Sequence, residues 1–203
     1  MTMSRSLPLA TACLLALLAF RAGAGDSAWR AMPLPPEAAR LNRTADFAAS
    51  SETAIRLYAQ SIRLCPSNGP ALYGLGRALL DQDRPADSLK VFRRLDSFFP
   101  DDPASLEALA AALARLPAPR RADIAEGLAF AERATRLGPD TPAAWHVLSV
   151  LRHLNGDYAL AVGAARQAVL LDAITPIAPE TTALYQQQEK ACNDALSVFS
   201  PLD

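Results

Sequence analysis

Lysine is nearly missing from this chain: Lys90 and Lys190 are the only two, so almost all positive charge is arginine. Histidine occurs twice, at His146 and His153. No block of one charge sign exists, and the formal net charge is −1 at a pI of about 6.1. A nucleic-acid partner requires a basic face, so that class is excluded. Val, Ile and Thr runs with period-two alternation are also missing, which argues against a sheet. There is no Gly-rich phosphate loop, His-Glu-x2-His zinc helix or Gly-x-Ser-x-Gly elbow. His146 and His153, seven residues apart on one helix, are separated by about 10.5 Å along its axis. One zinc ion with Zn–N distances of about 2.0–2.1 Å cannot take both unless ligands arrive from elsewhere. No nucleophile–base set can be assembled either. Neither a catalytic residue, a cofactor nor a metal is therefore assigned, and an enzyme is the least favoured class.

What is present points to helices. Of the 203 residues 51% are apolar, which supports a buried core and argues against global disorder. Alanine makes up about a fifth of the chain, well above ordinary usage. Small helix-forming residues suit helices that pack backbone to backbone. The excess of arginine, alanine and proline also hints at a GC-rich bacterial genome.

The first 24 residues read as an export signal. Arg5 supplies the positive start, Leu7 to Phe20 an apolar run of 14 residues, and Ala22-Gly23-Ala24 the small residues before cleavage. The run is shorter than the roughly 20 residues a spanning helix needs. Cleavage is expected after Ala24, leaving a secreted or periplasmic protein that meets a membrane only through this transient segment. An uncleaved anchor or a buried N-terminal helix is the alternative. Cys13 is not read as a lipid attachment site, because the strongest apolar stretch follows it. Without Arg5 and Arg21 the mature chain carries 18 − 21 = −3. Its cysteines, Cys65 and Cys192, are expected as two separate buried thiols. A disulfide needs Cα atoms about 4.4–6.8 Å apart, and the repeats described next put the two at opposite ends of the array. Asn42-Arg43-Thr44 is a glycosylation sequon, treated as chance in a bacterial chain.

Internal repetition carries the fold. Leu72-x2-Leu75-Gly76-x2-Leu79 maps onto Leu106-x2-Leu109-Ala110-x2-Leu113 with a shift of 34 throughout. The same shift links Ala54-x3-Tyr58 to Ser88-x3-Phe92, Pro66 to Pro100, and Gly127-x3-Ala131 to Ala161-x3-Ala165. Between the two groups the register slips by five at Leu116-Pro117-Ala118-Pro119, where the prolines already forbid helix. Longer turns add little closure entropy. Trp145-x2-Leu148-Ser149, the Asn155-Gly156-Asp157-Tyr158 turn, then Ala161, Ala168 and Leu171 form the best single copy. Its helix–turn–helix pattern resembles the tetratricopeptide repeat. Arg152 and Ala173 stand where that pattern has Tyr and Pro, and the copy at Leu106 retains only its apolar skeleton.

The resemblance implies an all-α fold: a right-handed superhelical solenoid of antiparallel helix pairs with a C-terminal capping helix. Each pair has apolar stripes that it cannot bury alone, so stacked neighbours complete the core. Small residues such as Gly76, Ser88 and Gly127 mark close crossings, and Tyr58, Phe92 and Trp145 fill the spaces between. The expected organisation is a signal at 1–24, a linker at 25–34 and an array at 35–175. Within the array a degenerate repeat spans 35–68, followed by 69–102, 103–141 and 142–175. A capping helix and tail occupy 176–203, with Leu184, Ala191, Ala195 and Leu196 as the packed stripe.

In this family the first helix of each pair lines a concave groove that holds a protein or peptide. Carried over by register, three rows face inward: Tyr73, Glu107 and His146; Arg77, Ala111 and Val150; Leu80, Ala114 and His153. Asp81 and Arg115 flank them. This mixture of aromatic, charged and apolar side chains suits a peptide bound by mixed contacts. The family's clamp for acidic chaperone tails uses a Lys and an Asn on these helices. Neither is here, so that specificity is not carried over. The leading expectation is an exported protein-binding scaffold. The alternative is an accessory subunit docking by its convex surface onto an export, cell-wall or polysaccharide machine.

Overall fold

A computed structural model describes residues 27, 29–176 and 178–199. The expected signal segment, with Cys13, lies outside the described residues. Among the described residues there are nine helices and no strand, in agreement with the all-α expectation: α1 Pro36–Asp46, α2 Ser51–Leu64, α3 Gly69–Asp81, α4 Pro85–Phe98, α5 Pro103–Ala114, α6 Arg121–Leu137, α7 Pro142–Asn155, α8 Tyr158–Ile174 and α9 Pro179–Phe199. They form two compact units that divide after Ser105.

In the first unit, α1, α3 and α4 open on proline at the first or second position, where the missing N–H would have had no helical partner. The start of α3 is held by a buried polar network. Asn68 accepts from the Ala71 backbone N–H at 3.1 Å and from Asn42 Nδ2 at 3.1 Å. Asn68 Nδ2 in turn donates to Ser61 Oγ at 2.9 Å, and Ser61 Oγ donates to the Ala38 carbonyl at 2.9 Å. The chain of bonds ties α1, α2 and α3 together, and a buried polar group left without a partner is costly. Asn42 is 6% exposed, and its amide both donates to and accepts from Asn68, so the sequon's asparagine is not on the surface.

The apolar core of this unit is built from Leu72, Leu79, Phe92 and Leu95, all but lost from solvent. Phe92 lies directly against Gly76, where a Cβ would collide with its ring. Ser88 Oγ donates to the Gly76 carbonyl at 2.8 Å. The small and large positions of the 34-residue register thus meet as anticipated.

The segment expected as a linker is packed instead over its described residues. Trp29, Met32 and Ser27 are buried. Ser27 Oγ donates to Asp102 at 3.2 Å, the Gly69 N–H points to Met32 Sδ at 3.4 Å, and Trp29 fills the space beside Gly69. With no helical or strand period, the segment looked unstructured, yet two large apolar side chains are enough to anchor it.

In the second unit, α6 begins with a capping box in which Asp123 accepts from the Arg120 backbone N–H at 2.9 Å. The Asn-Gly-Asp-Tyr turn ends α7 as its sequence dictates. Gly156 adopts φ +88°, and the N–H groups of Gly156 and Asp157 close onto the His153 and Arg152 carbonyls at 3.1 and 2.9 Å. Leu148 and Leu151 pack with Ala110, Ala131 and Ala164. Trp145 is only partly buried on that cluster, its Nε1 donating to the Pro139 carbonyl at 2.7 Å.

The packed stripe of α9 differs from expectation. Leu184 is 50% exposed and Ala191 is exposed, whereas Tyr185 and Cys192 are buried, with Leu196 packed beside Cys192. One residue of shift turns a helix by about 100°. A tyrosine ring offers more apolar surface than the neighbouring leucine. Cys192 is a free, buried thiol, as expected. Cys65 is equally buried, and Cys192 is not bonded to it. No helix among the described residues is long and apolar enough to cross a membrane.

Candidate functional site

In the first unit, the C-terminal end of α1, the N-terminal half of α2 and the length of α3 enclose an open pocket of about 620 Å³. Tyr73 forms one wall. It is half-buried, stacked on Trp29 with ring centroids 4.9 Å apart and tilted against Phe92 at 6.1 Å. Arg77 follows one turn later and Asp81 one turn after that, both exposed and both lining the pocket. Residues four apart share a helix face, so these three side chains are presented together.

The opposite wall holds Tyr58 and Asp46, with the phenol donating to the carboxylate at 2.5 Å. Burial, then that bond and the charge of Asp46, push the Tyr58 phenol well above its ordinary range, so it stays a donor. Arg30 closes the rim, its guanidinium 5.1 Å above the Trp29 ring. The pocket therefore combines aromatic walls with two carboxylates and two guanidinium groups.

Of the residues expected here, Tyr73, Arg77 and Asp81 come together, but Leu80 does not lie open. It is 4% exposed. Seven residues after Tyr73, it points about 20° further toward the core at 100° per residue. Trp29, Arg30, Asp46 and Tyr58 were not anticipated as site residues. Trp29 and Arg30 sat in an apparent linker. Tyr58 was read only as a space-filler, and nothing in the spacing reveals that its hydroxyl meets a carboxylate twelve residues away.

In the second unit, Glu107 is half-buried on α5, Arg115 is exposed just beyond its end, and Val150 is half-buried on α7. His146 is not an open groove residue. Its ring lies against Tyr185 of α9, centroids 5.0 Å apart, and its Nδ1 is buried with no hydrogen-bond partner. Desolvation pushes its pKa down to about 4. His153 is half-buried and meets Tyr158 edge-on at 5.5 Å, and Tyr158 stacks on Phe199 at 5.1 Å. The capping helix thus covers the histidine-bearing face that the repeat register alone leaves open.

Comparison with known proteins agrees with this architecture. Residues 51–116 match the family model for the tetratricopeptide repeat. Among solved structures, the chain is similar to TTC0263, a thermophilic TPR protein of Thermus thermophilus. That match has a TM-score of 0.64 and 20% identity, over 79% of this chain and 85% of that one. It is also similar to MamA from Desulfovibrio magneticus RS-1, with a TM-score of 0.59 and 16% identity over 82% and 94% of the two chains. Yeast Tom70 gives a TM-score of 0.61 at 16% identity, over 81% of this chain and 34% of Tom70. At these identities the likeness is one of fold. The curated proteins give no match.

Proposed function

This chain is a tetratricopeptide-repeat protein, and we propose that it is an exported scaffold holding a peptide segment of a partner protein in the pocket of its first unit. The observation that carries this reading is the joint presentation of Tyr73, Arg77 and Asp81 on one face of α3, opposite Asp46 and beside Trp29. Ligand pockets usually span about 300–1,000 Å³, so the volume suits a few residues of an extended segment. Charges of both signs fix its orientation while the aromatic walls take its apolar side chains.

The partner is to be recovered by crosslinking from the protein's own compartment and its binding measured by calorimetry. Arg77→Ala with Asp81→Ala is expected to weaken binding on the order of thirtyfold, about 2 kcal/mol, with helicity retained because both residues are exposed. Arg133→Ala with Gln167→Ala, on α6 and α8, should leave affinity unchanged. The opposite pattern would move the function to the outer helix surfaces and favour an accessory subunit docked on a larger assembly.

Export rests on Arg5, the apolar run from Leu7 to Phe20 and Ala22-Gly23-Ala24. N-terminal sequencing of exported protein is expected to begin at Gly25. A membrane-bound protein retaining Met1 or Met3 would favour an anchor instead.

A further inference from the structure

We propose that a groove between α2 and α4 docks a short acidic segment of a partner protein that carries a bulky apolar side chain, independently of the pocket beside Tyr73. The groove encloses about 410 Å³. Its floor is apolar: Leu75 of α3 and Val91 of α4 are half-buried there, and Ile62 of α2 is buried. Three cations stand over that floor, Arg63 from α2 and Lys90 and Arg94 from α4, and all three are exposed. No carboxylate is among the described lining residues, although acids outnumber bases in the chain as a whole. Leu75 lies about 200° round α3 from Tyr73 at 100° per residue, so the groove opens on the other side of that helix from the peptide pocket.

Charge and shape together choose the occupant. Scattered surface cations need no explanation, but three of one sign around an apolar recess present a positive rim to an anionic ligand. Arg94 is already set in place. Its Nη2 donates to the Pro66 carbonyl at 3.0 Å, just past the end of α2, and its guanidinium lies 5.9 Å from the Phe98 ring centroid. The rest of its donor fork can take a carboxylate. Lys90 shares Asp87 with Arg84, at 3.0 and 2.7 Å. Exposed pairs of this kind are weak, so the ammonium can turn to a ligand. Lys90 and Arg94 are one turn apart, about 6 Å along the helix. Alternate residues of an extended chain are separated by nearly the same distance, about 6.6 Å, with the residue between them pointing the opposite way. An acid–apolar–acid segment laid along the groove therefore sends its apolar side chain to the floor and its carboxylates up to the cations. A flat anionic lipid surface would meet the cationic heads but could not reach a floor recessed between two helices, so the groove favours a peptide.

Fluorescence anisotropy of the purified protein with a labelled Glu-Glu-Leu-Glu-Glu peptide at low ionic strength is expected to show saturable binding in the micromolar range. Exchanging the leucine of the peptide for serine should weaken binding about tenfold, and a peptide with lysines in place of the glutamates should not bind. Arg63→Gln with Lys90→Gln is expected to raise the dissociation constant about tenfold, with an unchanged circular dichroism spectrum because both side chains are exposed. Arg94 is left in place, since it also holds the turn after α2. Val91→Thr exchanges one methyl of the floor for a hydroxyl and should weaken binding about threefold, a loss that charge attraction alone does not produce. Arg121→Gln with Arg136→Gln makes the same charge change on α6 and should leave binding unchanged. Absence of saturable binding, equal affinity for the serine peptide, or an equal loss in the α6 variant would overturn the proposal. So would a protein that ignores the peptide yet sediments with phosphatidylglycerol vesicles through Arg63 and Lys90, which would assign these cations to a membrane surface.

Discussion

Trp29→Ala is expected to destabilise the protein by about 3–5 kcal/mol, the range for truncating a buried aromatic. The effect should be unusually large for a residue in a segment that looks like a linker. Trp29 is 3% exposed, sits against Gly69 where no side chain fits, and stacks on Tyr73. Removing it leaves a cavity bounded by α3 and takes away a wall of the proposed peptide pocket. Affinity for the partner should therefore fall together with stability. Trp29→Phe should cost much less, because the indole Nε1 donates to no group among the described residues and a phenyl ring preserves most of the stacking. Urea unfolding followed by circular dichroism measures both variants. An unchanged midpoint for Trp29→Ala would mean that the segment from Ser27 to Leu34 contributes nothing to the core.

His146 is expected to make stability fall as the solution is acidified. Its pKa is about 4 in the folded protein against an ordinary value of 6.5, because burial disfavours the charged ring. Between those values the unfolded chain binds a proton that the folded chain does not. The contribution of neutral His146 is thus fully present above about pH 6.5, declines as pH falls, and is lost near pH 4. Integrated over that window, the loss is about 3 kcal/mol, to order of magnitude. His146→Phe keeps an aromatic ring against Tyr185 and does not titrate. The stability difference between the original protein and this variant, measured by urea unfolding at pH 7.5 and pH 4.5, should shift in favour of the variant at the lower pH by about 2–3 kcal/mol. Parallel pH profiles would show that His146 is freely hydrated in the folded protein.

The helix pairs themselves were legible from residue spacing. A shift of 34 relates Gly76 to Ala110 and Tyr58 to Phe92, and the packing follows: Phe92 against Gly76, Leu151 against Gly127 where an added Cβ would be crowded, Gly156 in the left-handed turn. Such features are local, or repeat within a helix, so periodicity reports them directly. Part of the site was legible in the same way, because Tyr73, Arg77 and Asp81 share one face of one helix.

The rest depends on which element covers which face, and spacing along a single helix carries no information about that. Leu184 and Tyr185 are almost equally good candidates for the packed side of α9, and only the surface of α8 and α7 chooses Tyr185. That choice places Tyr185 over His146 and removes His146 from the open surface. Trp29 and Met32 have no period, and their burial depends on a space offered by α3, reached across more than thirty residues of chain. The Asn42–Asn68 pair, 26 residues apart, is likewise invisible until two helices bring the amides to 3.1 Å. Sequence alone determined which residues form helices and where small ones meet large ones, because both are set by neighbours three, four and 34 positions away. Tertiary structure decided which polar groups are satisfied, which histidine is desolvated and which apolar side chains of α3 and α4 face a groove, because each depends on long-range contacts that desolvate one side of a helix and leave the other in water.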